Sequence, residues 1–150
     1  MDDEYAALKK KYNLPNLDIL DREFEVSCID EYTFLLRSMR LKMVEKIDGT
    51  IKLFNELLHP DSGFAGYKEA NIFNEADREQ MLVIYRKLMY YSRRSTELNF
   101  EDSDDINARF INDLMKDWPE LRKSILFFVR RMKDLWQKDL SKKDVVGYFG

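Results

Sequence analysis

One stretch constrains the fold more than any other. If residues 28–58 form a single helix, Ile29, Tyr32, Leu36, Met39, Met43, Ile47, Ile51, Phe54 and Leu58 fall on one stripe. Their mean spacing is about 3.6 residues, the α-helical repeat, and no strand of ordinary length carries such a pattern. Phe34, Leu35, Leu41, Val44, Leu53 and Leu57 widen the stripe, so the helix is expected to pack against more than one neighbour. At about 1.5 Å per residue it would run roughly 46 Å, the length of a small domain.

The rest of the chain supplies that helix with partners. Residues 2–12 place Tyr5, Leu8 and Tyr12 on one side, acids first and lysines last, in keeping with the helix dipole. Pro15 closes this segment. Asn16 is placed to cap a second short helix carrying Leu17, Leu20 and Phe24, and a break is expected near Val26, with Ser27 and Asp30 as the cap of the long helix. Gly49 lies inside the long helix, as a kink, a close helix crossing or a tolerated surface glycine. Residues 59–66 read as a loop. Asn74 then opens a helix through Met81, Tyr85, Leu88, Tyr91 and Leu98. After an acidic turn at 101–105, Ile106, Phe110, Leu114 and Trp118 define a shorter helix. Pro119 reads as the first-turn proline of a last helix carrying Leu121, Ile125, Phe128, Met132, Trp136 and Leu140, with Asp117 and Glu120 as its capping box. The expected fold is all-α: an antiparallel bundle of about four main helices with one or two short N-terminal helices. It comprises one domain over 1–141 and a C-terminal tail, 142–150.

Several function classes lose ground on composition. The net charge of −3 argues against wholesale binding to nucleic acid or an acidic membrane. No run of 18 apolar residues exists, so no transmembrane helix is expected. An acidic N-terminus without an apolar run is no secretory signal. A lone cysteine, Cys28, fits a reducing compartment, cytoplasmic or, in a eukaryote, nuclear.

Catalytic constellations are equally scarce. Glu56 and His59 share the Glu-x-x-His spacing of di-iron bundles, but a single histidine cannot supply the second pair. Cys28 has no histidine nearby in sequence to act as its base. No nucleophile elbow, zinc-protease or phosphate-loop motif occurs. The reading is a non-enzyme without metal or cofactor.

Charge, by contrast, is segregated. Over 1–31 acids outnumber bases nine to four, and over 116–144 bases outnumber acids nine to five. Arg86, Tyr90, Arg93 and Arg94 line one side of the helix opened by Asn74. Such a stripe suits phosphates, with Tyr90 placed to stack on a base. It also suits a solvated face, or pairing with acidic segments of this chain or of another copy.

Beyond Leu140 the helical pattern stops and the chain ends Ser-Lys-Lys-Asp-Val-Val-Gly-Tyr-Phe-Gly. Residues 142–149 resemble the PCNA-interacting peptide, or PIP box: glutamine, two variable residues, an aliphatic, two variable residues, then two aromatics. Val145 takes the aliphatic position and Tyr148 and Phe149 the aromatic pair, while Lys142 stands where the family has glutamine. In one turn of 3₁₀ helix Val145 and Tyr148 share a face, and with Phe149 they form an apolar plug. The resemblance implies a pocket on the sliding clamp of DNA replication. Three readings follow: a helical adaptor that recruits a PCNA-type clamp, a homo-oligomer whose aromatic tail swaps onto a neighbour, and a nucleic-acid binder centred on the basic stripe.

Overall fold

The computed structural model describes residues 1–61 and 63–141, and these form an all-α bundle. Three long helices make its frame: α3 (Leu35–Leu58), α5 (Glu75–Leu98) and α6 (Asp104–Leu140). Two short helices, α1 (Asp2–Tyr12) and α2 (Leu17–Phe24), precede α3, and α4 (Phe64–Ala70) lies between α3 and α5. No helix among the described residues is long and apolar enough to cross a membrane.

The stripe read from the sequence is the core. Leu36, Met39, Met43, Ile47 and Phe54 of α3 are wholly buried against Met81 and Leu88 of α5 and Phe110, Ile111 and Leu114 of α6. Burying an apolar side chain of this size stabilises by about 1.5–3 kcal/mol, so this interface outweighs any single polar contact. α1 and α2 lie across α3 and α6. The Phe24 ring meets Trp118 at 4.8 Å, Trp118 Nε1 donates to the Glu23 carboxylate at 2.8 Å, and Asn112 donates to the Tyr12 carbonyl.

Three boundaries differ from the sequence reading. The long helix starts at Leu35 rather than Cys28. Upstream, the Ser27 N–H donates to the Asp21 carboxylate and the Thr33 N–H to that of Glu31. Such side-chain acceptors offer the backbone an alternative to helix. The expected break near Val26 is present, with Glu25 in the left-handed region at φ 56° and a 3₁₀ turn at Val26–Cys28. Ser27 and Asp30 therefore do not cap α3, Tyr32 is 40% exposed, and Cys28 is exposed as well.

Pro119 does not open a helix; it lies inside α6, which runs 37 residues without a break. The helices expected at 106–118 and 121–140 are thus one. Leu114, Trp118, Leu121, Phe128 and Met132 are all buried, so the apolar stripe crosses the proline without changing phase. Packing on both sides holds a helix that lacks one N–H. Asp117 is consequently no cap: it accepts the Tyr91 hydroxyl and pairs with Lys87.

Asn74 caps α5 as read, and Asp77 completes a reciprocal capping box. Part of the expected 59–66 loop is the seven-residue α4. Gly49 sits mid-helix and exposed, and a Cβ added there would meet nothing within 4 Å. It is a surface glycine, not a helix crossing.

Candidate functional site

At the end of the bundle where α3 begins, α5 ends and α6 begins, the core holds a cation. Arg40 is 0% exposed. Its Nε donates to Asn107 Oδ1 at 2.7 Å, its Nη1 to the Ser95 carbonyl at 2.8 Å and to the Ser95 hydroxyl, and its Nη2 to Asn99 Oδ1 at 3.0 Å. None of these partners is charged. Formal compensation is one residue away: Asn107 Nδ2 donates to Asp102 Oδ1, and Asp102 also receives Arg37.

Electrostatics here follow burial. Desolvation pushes the Arg40 pKa below its usual value, Asp102 opposes that shift and Arg37 adds to it. Arginine nevertheless stays protonated. Burial alone would raise the Asp102 carboxyl, but hydrogen bonds from Asn107 and Arg37 outweigh it and hold the group below the usual carboxylate range. No buried side-chain nitrogen or oxygen among the described residues lacks a partner. A satisfied, closed cluster of this kind fixes helix register and exposes no reacting atom.

Sequence reasoning missed this cluster. The signal was present: Arg40 stands four residues after Leu36 and four before Val44, inside the apolar stripe. A charge at such a position must find internal partners. Those partners come from α5 and α6, which no local pattern aligns with α3.

The basic stripe is divided by the fold. Arg94 pairs with Asp113 of α6 at 2.8 Å and lies over the Phe110 ring, so its charge is already partnered within the molecule. Arg86 and Arg93 are exposed, and neither has a carboxylate partner among the described residues. Tyr90 stands between them, 58% exposed, its ring held edge-on to Tyr91 at 5.2 Å. Met89, Tyr90, Arg93, Arg94 and Glu97 line a shallow groove of about 590 Å³. Three of the four stripe residues therefore share an open face. Burial, with help from Asp117, raises the pKa of Tyr91 and keeps its phenol neutral.

At the opposite end, α6 runs out to the surface. Leu140 is 86% exposed and Ser141 follows it. One turn earlier α6 is tied to α4: Trp136 Nε1 donates to Glu69 at 3.0 Å, Lys68 pairs with Asp139, and Phe64 stacks near Trp136. Lys142, Val145, Tyr148 and Phe149, the residues of the PIP-box resemblance, lie outside the described residues.

His59 is exposed at the C-terminus of α3, its N–H on the Asn55 carbonyl. No group of three histidine, cysteine or acidic side chains among the described residues is arranged to hold a metal.

Compared with models of protein families, with curated proteins and with solved structures, the chain matches none.

Proposed function

We propose that the protein is a non-enzymatic helical adaptor whose C-terminal segment docks on a PCNA-type sliding clamp of DNA replication or repair. The observation that carries this reading is where α6 ends. Leu140 is almost fully solvent-exposed, so no described part of the bundle covers the side chain that ends α6. Directly after it come Lys142, Val145, Tyr148 and Phe149 in PIP-box order. An aliphatic and two adjacent aromatics form the kind of anchor that concentrates binding energy in a few side chains.

The test is calorimetric titration of a clamp with the full chain and with Val145→Ala/Tyr148→Ala/Phe149→Ala. The expected result is saturable binding by the full chain and loss of at least a hundredfold in the variant, with the helical circular dichroism unchanged. Undiminished binding by the variant refutes the reading.

A second reading rests on α5. Arg86 and Arg93 are exposed without carboxylate partners and flank the exposed Tyr90 ring, which suits single-stranded nucleic acid held by phosphate contacts and one stacked base. Binding of this kind weakens steeply with salt as counterions are released. Fluorescence anisotropy of a labelled oligonucleotide is expected to show that dependence, and Arg86→Ala/Arg93→Ala to flatten it. No binding at low salt ends this reading.

A further inference from the structure

We infer that the cleft between α1 and α2 is the docking site for the C-terminal segment of a second copy of this chain. This rests on the adaptor reading in one respect: the same segment serves both the clamp and the neighbour, so the two compete.

The cleft has a volume of about 780 Å³. Leu17 and Tyr32 supply its apolar walls over the buried Tyr5, and Asp2, Asp18 and Asp21 its acidic lining, against Lys9 and the Met1 ammonium, the latter paired with Glu4. The walls are pre-formed. Tyr5 is 2% exposed, its hydroxyl donating to the Pro15 carbonyl, and Asp21 is fixed by the Ser27 N–H. None of the three aspartates is in an ion pair with a described residue. What the cleft asks for is an aromatic plug carried on lysines.

The C-terminal segment has that composition. Lys142 and Lys143 precede Val145, Tyr148 and Phe149, and each aromatic buries about 150–250 Å² when enclosed. Lysine beside aspartate adds steering and register more than affinity.

Reach disfavours a molecule filling its own cleft. α2 is tied to α6 at Trp118, through Glu23, and α1 at Asn112, through Tyr12. From Trp118 to Ser141 the helix rises about 35 Å. Tyr148 reaches at most about 25 Å from Ser141 even when fully extended. The nearer groove, beside Ser141 and lined by Ile72, Leu135, Arg131, Asp134 and Lys138, is within reach but offers the lysines a single carboxylate, Asp134, beside Lys138 and an Arg131 already paired with Asp77. Charge therefore favours the cleft and reach assigns it to a neighbour. The contact joins two different surfaces, so it yields a reciprocally swapped two-fold dimer, a larger ring or an open chain.

The experiment uses the full chain and two variants that lose opposite halves of the contact. Tyr148→Ala/Phe149→Ala removes the plug; Asp2→Lys/Asp18→Lys reverses the cleft, with Tyr32→Ala as an independent cleft variant. Circular dichroism checks that each folds. Light scattering is expected to show a mass that rises with concentration for the wild type and falls at high salt, and monomers for every variant. An equimolar mixture of plug and cleft variants is expected to form 1:1 dimers and nothing longer, because only one intact contact remains. A monomeric wild type, a monomeric mixture, or cleft variants that associate like the wild type each overturn the inference, the last by placing the plug on another surface such as the groove beside Ser141.

Clamp titrations separate this failure from that of the adaptor reading. A clamp that binds the cleft variants normally, with no self-association of the wild type, removes this inference alone. Dimers in the mixture without clamp binding by any chain remove the adaptor reading alone.

Discussion

The two ends of the bundle solve the same problem in opposite ways. Each must close the space between α6 and the other helices, and each does so around an arginine. At one end Arg40 is wholly buried and held by the neutral acceptors Asn107, Ser95 and Asn99. At the other, Arg131 lies at the edge, its Nη1 on Asp77 and its Nη2 on the Ile72 carbonyl. Its guanidinium lies 4.8 Å from the Phe73 ring centroid and 5.6 Å from that of Phe127. A buried cation has no water to fall back on, so all its partners must be in place at once. An edge cation can exchange one partner for solvent at little cost. The first end should therefore open only when the whole molecule unfolds, and the second should open locally. The C-terminal segment for which docking is proposed follows the looser end.

Removing Arg40 is the strongest way to break this comparison. Arg40→Ala leaves the Asn107, Asn99 and Ser95 acceptors facing a cavity, a change expected to cost on the order of 3 kcal/mol or more. Urea unfolding should show a lower midpoint with a single transition. Arg40→Met fills much of the volume but satisfies none of the acceptors, so only part of the loss should return. If Arg40→Ala lost less than about 1 kcal/mol, the buried cation would not lock this end.

The other end is expected to answer more softly. Arg131→Ala removes one half-exposed ion pair and two ring contacts, worth together about 1–2 kcal/mol. The Arg131 hydrogen bond, with the Asn74 N–H behind it, is what holds Asp77 below the usual carboxylate range, so the α5 cap loosens as well. Native-state hydrogen exchange should accelerate at amides of 64–74 and leave those around Arg40 at the global rate. Uniform acceleration at both ends would show that they unfold together, and the comparison would fail.

How much of this was legible beforehand depends on the range over which each feature is encoded. The stripe Leu36, Met39, Met43, Ile47 and Phe54 states its period within its own segment, and it is the core. The Asn74–Asp77 box is likewise local, and both of its hydrogen bonds form. Pro119 misled because its effect on a lone helix is real, whereas the buried side chains that override it come from the whole bundle. α4 stayed hidden because seven residues are too few to carry a period, and so short a helix holds only through contacts such as Glu69 with Trp136. The same limit applies to candidate sites. Arg86, Tyr90 and Arg93 could be placed on one face from spacing alone, but the pairing of Arg94 with Asp113 needed α6.

The mildest substitution gives the sharpest separation of the two ends. Gly49 is exposed in the interior of α3, the helix that spans both, and an added Cβ meets no atom within 4 Å. Gly49→Ala should therefore stabilise by about 0.5–1 kcal/mol, chiefly by reducing the conformational freedom of the unfolded chain. A gain of that origin appears only in openings that unfold α3. Amides that exchange through global unfolding, those flanking Arg40 among them, should slow by about two- to fivefold under conditions where exchange reports the opening equilibrium. Amides of α4 should keep their wild-type rate, since so short a helix can leave both α3, on which it packs, and α6 without α3 itself unfolding. Slowing of the α4 amides by the same factor would mean that its opening requires α3 to unfold, and the edge arginine would then be as firm a lock as the buried one.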